Sequence, residues 1–185
     1  MNWIESIKNY KTLNEQEKKD KEIILKSMDM FHDLLTRDNE IIHMTSSGFV
    51  VNKSRDKVLM VHHNIYNTWA WTGGHADGDE DLLHVAIKEV KEETGVKNIF
   101  VVSENIISLD IIPVQGHIKR EKYVAPHLHI SAAYLMEADE NDTLKVKPDE
   151  NSGVQWIPMN EIDKYSNEPH MKKIYNKIIR KIREL

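Results

Sequence analysis

Residues Gly74 to Val96 read GHADGDEDLLHVAIKEVKEETGV, and this stretch is the most informative segment of the sequence. Asp77 and Asp79 stand where a capping side chain would open a helix. Gly95 suits the left-handed residue just past a last helical turn. The pattern therefore predicts a helix from Asp79 to Thr94, bounded at both ends.

Three glutamates of this predicted helix, Glu89, Glu92 and Glu93, stand three and four residues apart. Successive helical residues turn by about 100°, so the three carboxylates share one face. The apolar side chains predicted to form the buried stripe are Leu83, Ile87 and Val90. Like charges repel unless cations neutralise them, and hard oxygen ligands favour Mg²⁺ or Mn²⁺. The alternative for these glutamates alone is an ordinary solvated acidic face.

Composition narrows the class of protein. The chain has 185 residues, of which 40% are apolar and 30% charged, with 7 Gly and 5 Pro, so it can bury one substantial globular core. A net charge of -5 argues against nucleic-acid binding through bulk positive charge. The absence of cysteine excludes disulfides, thiolate zinc sites and cysteine nucleophiles. Early charges exclude a signal peptide and no apolar run suits a membrane span, so we expect a cytoplasmic protein without a membrane partner.

The first 40 or so residues are predicted to be helical, with Thr12 and Glu15 as a capping box. Their apolar residues recur at helical spacing: Ile24, Met28, Phe31 and Leu35. We expect residues 1–43 to form an N-terminal helical extension that packs on the main domain, residues 44–185, or on the partner in a homodimer.

Short strands are predicted on either side of the central helix. Before it, Gly48 to Val51 and Val58 to His62 form a hairpin. After it come strands at residues 99–102, 106–114, 127–136 and 153–157. A last amphipathic helix carries Met171, Ile174, Ile178 and Ile182.

The central stretch resembles the Nudix box of the Nudix hydrolases: a Gly, five residues, Glu, seven residues, then Arg-Glu-aliphatic-x-Glu-Glu-x-Gly-aliphatic. The matching positions here are Gly74, Glu80, Lys88, Glu89, Val90, Glu92, Glu93, Gly95 and Val96. Lys88 stands where the family prefers Arg. The resemblance implies an α/β fold, an α/β/α sandwich around a mixed sheet, here with an N-terminal helical extension.

The resemblance also implies an activity, the hydrolysis of a phosphoanhydride bond in a nucleoside diphosphate linked to another moiety, with Mg²⁺ or Mn²⁺ as cofactor. By this resemblance Glu92, Glu93 and the Gly74 carbonyl hold metal, and Glu89 holds metal or activates the water. Glu150 lies where some family members place a further acidic metal ligand. Glu89 and Glu150 are both open candidates for the general base.

Lys88, which replaces the arginine of the family pattern, immediately precedes Glu89 in the sequence. A lysine keeps the positive charge but lacks the planar fork with which arginine orients a carboxylate. The resemblance therefore gives Lys88 a role in orienting Glu89, with looser geometry than an arginine would provide.

Several residues outside the box are candidates for binding the substrate. His127 and His129 alternate along a predicted strand and share one face, and His75 adjoins the box glycines. Trp69 can stack on a nucleobase. The basic loop from Lys119 to Lys122, with Lys119 and Arg120, can clamp a phosphate. The alternatives are a solvated sheet face for the histidines, rim packing for Trp69 and a solubilising hairpin tip for the basic loop. The sequence shows no third ligand that would make the histidine pair a metal site.

Two other functions share this type of fold. Enzymes of the isopentenyl-diphosphate isomerase type employ a catalytic cysteine, and the chain has none. A nucleotide sensor that binds without cleaving usually has eroded glutamates, whereas all three are present here. The substrate itself cannot be read from the sequence.

Overall fold

A computed structural model describes residues 2–119 and 121–185. The helices are α1 (Trp3–Asn9), α2 (Glu15–Met30), α3 (Leu82–Thr94), α4 (Ile162–Tyr165) and α5 (Pro169–Arg183). The strands are β1 (Ile42–Val51), β2 (Lys57–His63), β3 (Thr68–Ala70), β4 (Thr72–His75), β5 (Ile99–Val101), β6 (Ser108–Val114), β7 (His117–Lys119), β8 (Lys122–Val124), β9 (His127–Ala138) and β10 (Asn151–Pro158). A 3₁₀ turn at Met159–Glu161 leads into α4.

The main sheet is mixed, and β1 lies at its centre. β1 runs parallel to β9 and antiparallel to β2 and β4, while β5 and β6 pair with β9 and β10 pairs with β2. One core cluster joins the sheet to α1, α2 and α3, and the other joins it to α5. The predicted α/β/α sandwich with N-terminal helices is therefore confirmed, as is the hairpin of β1 and β2.

Both helix starts differ from the sequence prediction. The cap of α2 is Asn14, whose side chain accepts from the Glu17 N–H at 2.9 Å, and not Thr12. The cap of α3 is Asp81, whose carboxylate accepts from the His84 N–H at 3.0 Å, so this helix begins at residue 82 and not 79. At its other end Gly95 has a φ of 74°, as the left-handed cap requires.

A buried network of charges ties the N-terminal helices to the main domain. Glu17 of α2 is fully buried, and its Oε1 lies 3.0 Å from the Lys177 Nζ and 2.8 Å from the Lys181 Nζ, both of α5. The Tyr10 hydroxyl donates to the same oxygen at 2.6 Å, and Lys177 also pairs with buried Asp110 of β6. Burial alone would raise the pKa of Glu17, but the hydrogen bonds and the lysine charges outweigh it and lower that pKa. The extension thus packs on its own chain.

Among the described residues, no helix is long and apolar enough to cross a membrane.

Candidate active site

Helix α3 presents its glutamates at two depths. The buried stripe runs through Leu82, Ala86 and Val90 and ends on Glu93, which is 6% exposed. Val90 is buried as predicted, whereas Leu83 and Ile87 are only partly buried and pack against the same core cluster. The residues that face the sheet start at Leu82 and follow at successive spacings of four, four and three residues, so the buried stripe differs from the predicted one.

Strand β4 passes close to these carboxylates. The Gly73 N–H donates to Glu93 Oε1 at 3.3 Å. A Cβ on Gly74 would lie 2.5 Å from the Glu89 Cδ, so only glycine lets this strand approach the glutamate so closely. The glycine pair therefore positions α3 and its carboxylates against the sheet.

Glu150 joins the two glutamates from the other end of the chain. Oxygen atoms of Glu89, Glu93 and Glu150 all lie within 4.8 Å of one another. Asn151, the first residue of β10, fixes the loop because its side-chain amide donates to the Glu93 carbonyl at 3.0 Å. We call these three residues the acidic cluster. All its ligand atoms are carboxylate oxygens, which is the donor set that Mg²⁺ and Mn²⁺ prefer.

Glu92 lies beside the acidic cluster on the exposed face of α3. The Lys147 Nζ is 3.1 Å from Glu92 Oε2 and 3.1 Å from Glu150 Oε2, so this ammonium bridges the two carboxylates. The hydrogen bonds and charges of these two glutamates raise the pKa of Lys147 although its partial burial opposes them. Lys147 was not predicted from the sequence, where its only local signal is the spacing of three residues from Glu150.

Burial shifts the pKa values of the acidic cluster upward. Burial, reinforced by the charges of Glu89 and Glu150, raises the pKa of Glu93 to about 8, against the lowering effect of the Gly73 N–H. Burial also raises the pKa of Glu89, with a further contribution from the charge of Glu92. A divalent cation bound by these carboxylates would favour their ionised forms and so oppose the effect of burial.

Lys88 is exposed on α3, and its charge makes only a small contribution against the burial that raises the pKa of Glu89. Within the described part of the chain, no hydrogen bond joins the two side chains. The orienting role that the sequence suggests for Lys88 remains a prediction.

Three of the predicted substrate residues, His75, His127 and His129, lie together with a fourth histidine that the sequence did not indicate, His43. The His127 Nε2 is 3.1 Å from the His129 Nε2. Desolvation, with the neighbouring histidines, lowers the pKa of His129 to about 2, so its ring is neutral. His43 was missed because only the parallel pairing of β1 with β9 places it opposite His129.

The remaining substrate candidates are Trp69, Lys119 and Arg120. Trp69 is half-buried in β3, with its ring edge-on to His62 and Tyr165 at centroid distances of 5.4 and 6.3 Å. Lys119 ends β7 in the small β7–β8 hairpin, and Arg120 lies outside the described residues. Their roles stay predictions.

Comparison with known proteins agrees with this geometry. The family model for the NUDIX domain matches residues 42–178, which is well over half of the chain. The chain belongs to the Nudix family. The boundary of the N-terminal extension at residue 43 stays a prediction.

Two relatives and one solved structure show the range of the similarity. The chain is 29% identical to an RNA pyrophosphohydrolase of Pelagibacter ubique, over 62% of this chain and 76% of that protein. It is 30% identical to a probable DHNTP pyrophosphohydrolase of Lactococcus lactis, over 75% of this chain and 80% of that protein. A NUDIX family hydrolase from Clostridium perfringens has the same fold, with a TM-score of 0.57 and 20% identity, over 76% of this chain and 97% of that one.

As a Nudix hydrolase, the protein is an enzyme that acts on acid anhydrides. Members of this family generally use divalent metals such as Mg²⁺ and act on small nucleotide-type substrates.

Proposed function

We propose that this Nudix hydrolase cleaves a phosphoanhydride bond in a nucleoside diphosphate linked to another moiety, with Mg²⁺ or Mn²⁺ as cofactor. The observation that supports this most directly is the acidic cluster, in which three carboxylates from α3 and the loop before β10 converge within 4.8 Å. The related RNA and probable DHNTP pyrophosphohydrolases support cleavage at a pyrophosphate linkage.

Several residues of the site would bind the metal. Glu93, held by the Gly73 N–H, and Glu89, packed over Gly74, would hold metal together with Glu150 and the Gly74 carbonyl. Glu92 would also bind the metal once its ion pair with Lys147 is broken. A bound divalent cation neutralises diphosphate charge and makes a coordinated water more acidic.

Two residues, Glu89 and Glu150, are candidates for the general base. Both belong to the acidic cluster, so either carboxylate would be available to accept a proton from the attacking water. Of the two variants Glu89→Gln and Glu150→Gln, the one that removes the general base should lower kcat by about 10² or more, with little change in KM. The variant with the smaller loss then identifies the residue that acts as a ligand only.

Substrate recognition would use groups outside the acidic cluster. We propose that Trp69 stacks on the base of the nucleotide and that Lys119 and Arg120 contact a phosphate.

A hydrolysis screen tests the proposal. Full-length protein is incubated with dinucleoside polyphosphates, nucleotide sugars, ADP-ribose, NAD(H), 5′-triphosphorylated RNA, pterin triphosphates, and ordinary and oxidised NTPs, with and without Mg²⁺. On the best substrate, Glu92→Gln and Glu93→Gln should lose most of the turnover while keeping the fold. Glu104→Gln, which changes an exposed glutamate in the loop between β5 and β6, is the matched control. Near wild-type turnover in Glu93→Gln would show that the metal site is wrongly assigned.

A further inference from the structure

Three adjacent strands bring histidines to one face of the sheet. His43 of β1 stands opposite His129 of β9, and His75 of β4 pairs with Thr45, two residues along from His43. Because side chains alternate along a strand, all three imidazoles project from the same face. Their ring centroids are 5.0 to 5.1 Å apart, and one ring nitrogen of each lies within 4.8 Å of the other two.

His43 carries the strongest indication that this group binds something. It is 4% exposed, and its Nδ1 lies 2.8 Å from the Asn39 carbonyl oxygen. A carbonyl only accepts, so Nδ1 carries the proton and Nε2 presents a lone pair. This Nε2 is buried and has no hydrogen-bond partner among the described residues. An unsatisfied buried nitrogen is costly, whereas a histidine held by a carbonyl through its other nitrogen is the usual state of a metal ligand.

His127 repeats this arrangement beside His129. Its Nδ1 lies 2.8 Å from the Ala125 carbonyl oxygen, so its Nε2 also presents a lone pair. That Nε2 is 3.1 Å from the His129 Nε2. Two imidazole nitrogens at about 2.0–2.1 Å from one tetrahedral Zn²⁺ would be about 3.3 Å apart. The spacing of this pair therefore suits two ligands of the same ion.

The histidines face away from the acidic cluster. The Cα of Gly74 faces Glu89 of α3, so the next residue, His75, points to the other side of β4. The two groups also differ in chemistry, because imidazole nitrogens favour Zn²⁺ and similar transition metals, whereas carboxylate oxygens favour Mg²⁺.

We propose that His43, His75 and His129, with His127 as the fourth ligand, bind a transition-metal ion such as Zn²⁺ at a site separate from the acidic cluster. The ion links β1, β4 and β9 and stabilises the sheet where these strands meet. The proposal does not depend on the hydrolase substrate or on the role of Glu89, Glu93 and Glu150.

The test is calorimetric titration of ZnCl₂ into metal-stripped full-length protein, in a buffer with excess Mg²⁺ to occupy the acidic cluster. We expect one equivalent of Zn²⁺ to bind wild type and to raise its Tm. His75→Gln and His129→Asn should each weaken binding by at least about tenfold. His43→Phe, which keeps a ring in the buried position, provides a third variant if one of these fails to fold. The matched controls are His170→Gln, a half-exposed histidine on α5, and Glu93→Gln, and both should bind Zn²⁺ like wild type.

Cobalt provides a second readout that does not use activity. Co²⁺ bound by three or four nitrogens in tetrahedral geometry should give intense visible absorption in wild type that disappears in His129→Asn. The proposal is overturned if wild type binds no Zn²⁺ in the presence of Mg²⁺. It is equally overturned if Zn²⁺ binding survives in all three histidine variants, or is lost in Glu93→Gln while they retain it.

Discussion

The carboxyl group of Glu89 lies directly over the Cα of Gly74, so closely that a Cβ at residue 74 would fall 2.5 Å from the Glu89 Cδ and 2.6 Å from its Oε1. The clashing atoms are the far end of a flexible side chain. A methyl group there would therefore displace the carboxylate and leave the backbone in place.

Gly74→Ala should accordingly lose Mg²⁺ affinity and turnover while its Tm stays close to wild type. Gly73→Ala is the contrasting variant, because its Cβ would meet the Ser46 carbonyl oxygen at 2.8 Å, which cannot move cheaply. It should mainly lower the Tm. Thermal unfolding and Mg²⁺-dependent kinetics of both variants check this, and equal loss of stability in the two would contradict it.

Lys147 forms ion pairs with Glu92 and Glu150, so it would compete with a metal ion bound by these carboxylates. Two partly exposed ion pairs together contribute on the order of 1 kcal/mol. In Lys147→Met we therefore expect Mg²⁺ to bind about threefold to tenfold more tightly and the metal-free protein to have a lower Tm. Calorimetric titration with Mg²⁺ measures this, with Lys145→Met, an exposed lysine of the same loop, as control. Weaker Mg²⁺ binding in Lys147→Met would show that the lysine assists the metal instead.

The stability of the metal-free protein should depend on pH through Glu93. The carboxyl has a pKa of about 8 when folded, against an ordinary value of 4.5. Between these values the folded protein keeps a proton that the unfolded chain has lost. The free energy of unfolding should therefore fall by a few kcal/mol as the pH rises from about 4.5 to about 8.

Urea unfolding without metal, at several pH values across this window, measures the decline. Glu93→Gln should show a flatter profile, because its amide does not titrate. Added Mg²⁺ should also flatten the wild-type profile by stabilising the carboxylate. A variant that declines as steeply as wild type would assign the effect to another group.

Lys88 is tested by two substitutions. If its ammonium orients Glu89, Lys88→Arg should preserve or raise kcat and Lys88→Met should lower it by roughly tenfold to a hundredfold, the equivalent of a lost charge-assisted hydrogen bond of ~1.5–3 kcal/mol. If Lys88 is only a solvated residue, both variants should stay within about twofold of wild-type kcat at saturating Mg²⁺. A fully active Lys88→Met enzyme would end the orienting hypothesis.

The buried network around Glu17 should dominate the stability of the N-terminal helices. Glu17→Gln leaves Lys177 and Lys181 without their shared counter-charge. We expect a loss of about 3–5 kcal/mol in the free energy of unfolding. Lys19→Met, which breaks only the exposed pair with Glu22, should change it by no more than ~0.5 kcal/mol. Denaturant unfolding of both variants measures the difference, and a small effect of Glu17→Gln would mean that the network is not needed to hold α2.

The sequence alone determined the features that depend on local spacing. The helix that carries Glu89, Glu92 and Glu93, its Gly95 cap and the β1–β2 hairpin all follow from periodicity and turn chemistry over a few residues. The same spacing does not say how deeply each residue lies. The sheet beneath α3 decided that Glu93, and not Leu83 or Ile87, completes the buried stripe.

Only the tertiary structure decided which distant residues meet. The loop before β10 brings Glu150 and Lys147 to the carboxylates of α3, and the parallel pairing of β1 with β9 places His43 opposite His129. Pairing of strands far apart in the chain depends on how the whole sheet closes around its core. No local pattern in the sequence predicts this strand pairing, because the contacts that stabilise it join residues distant from one another along the chain.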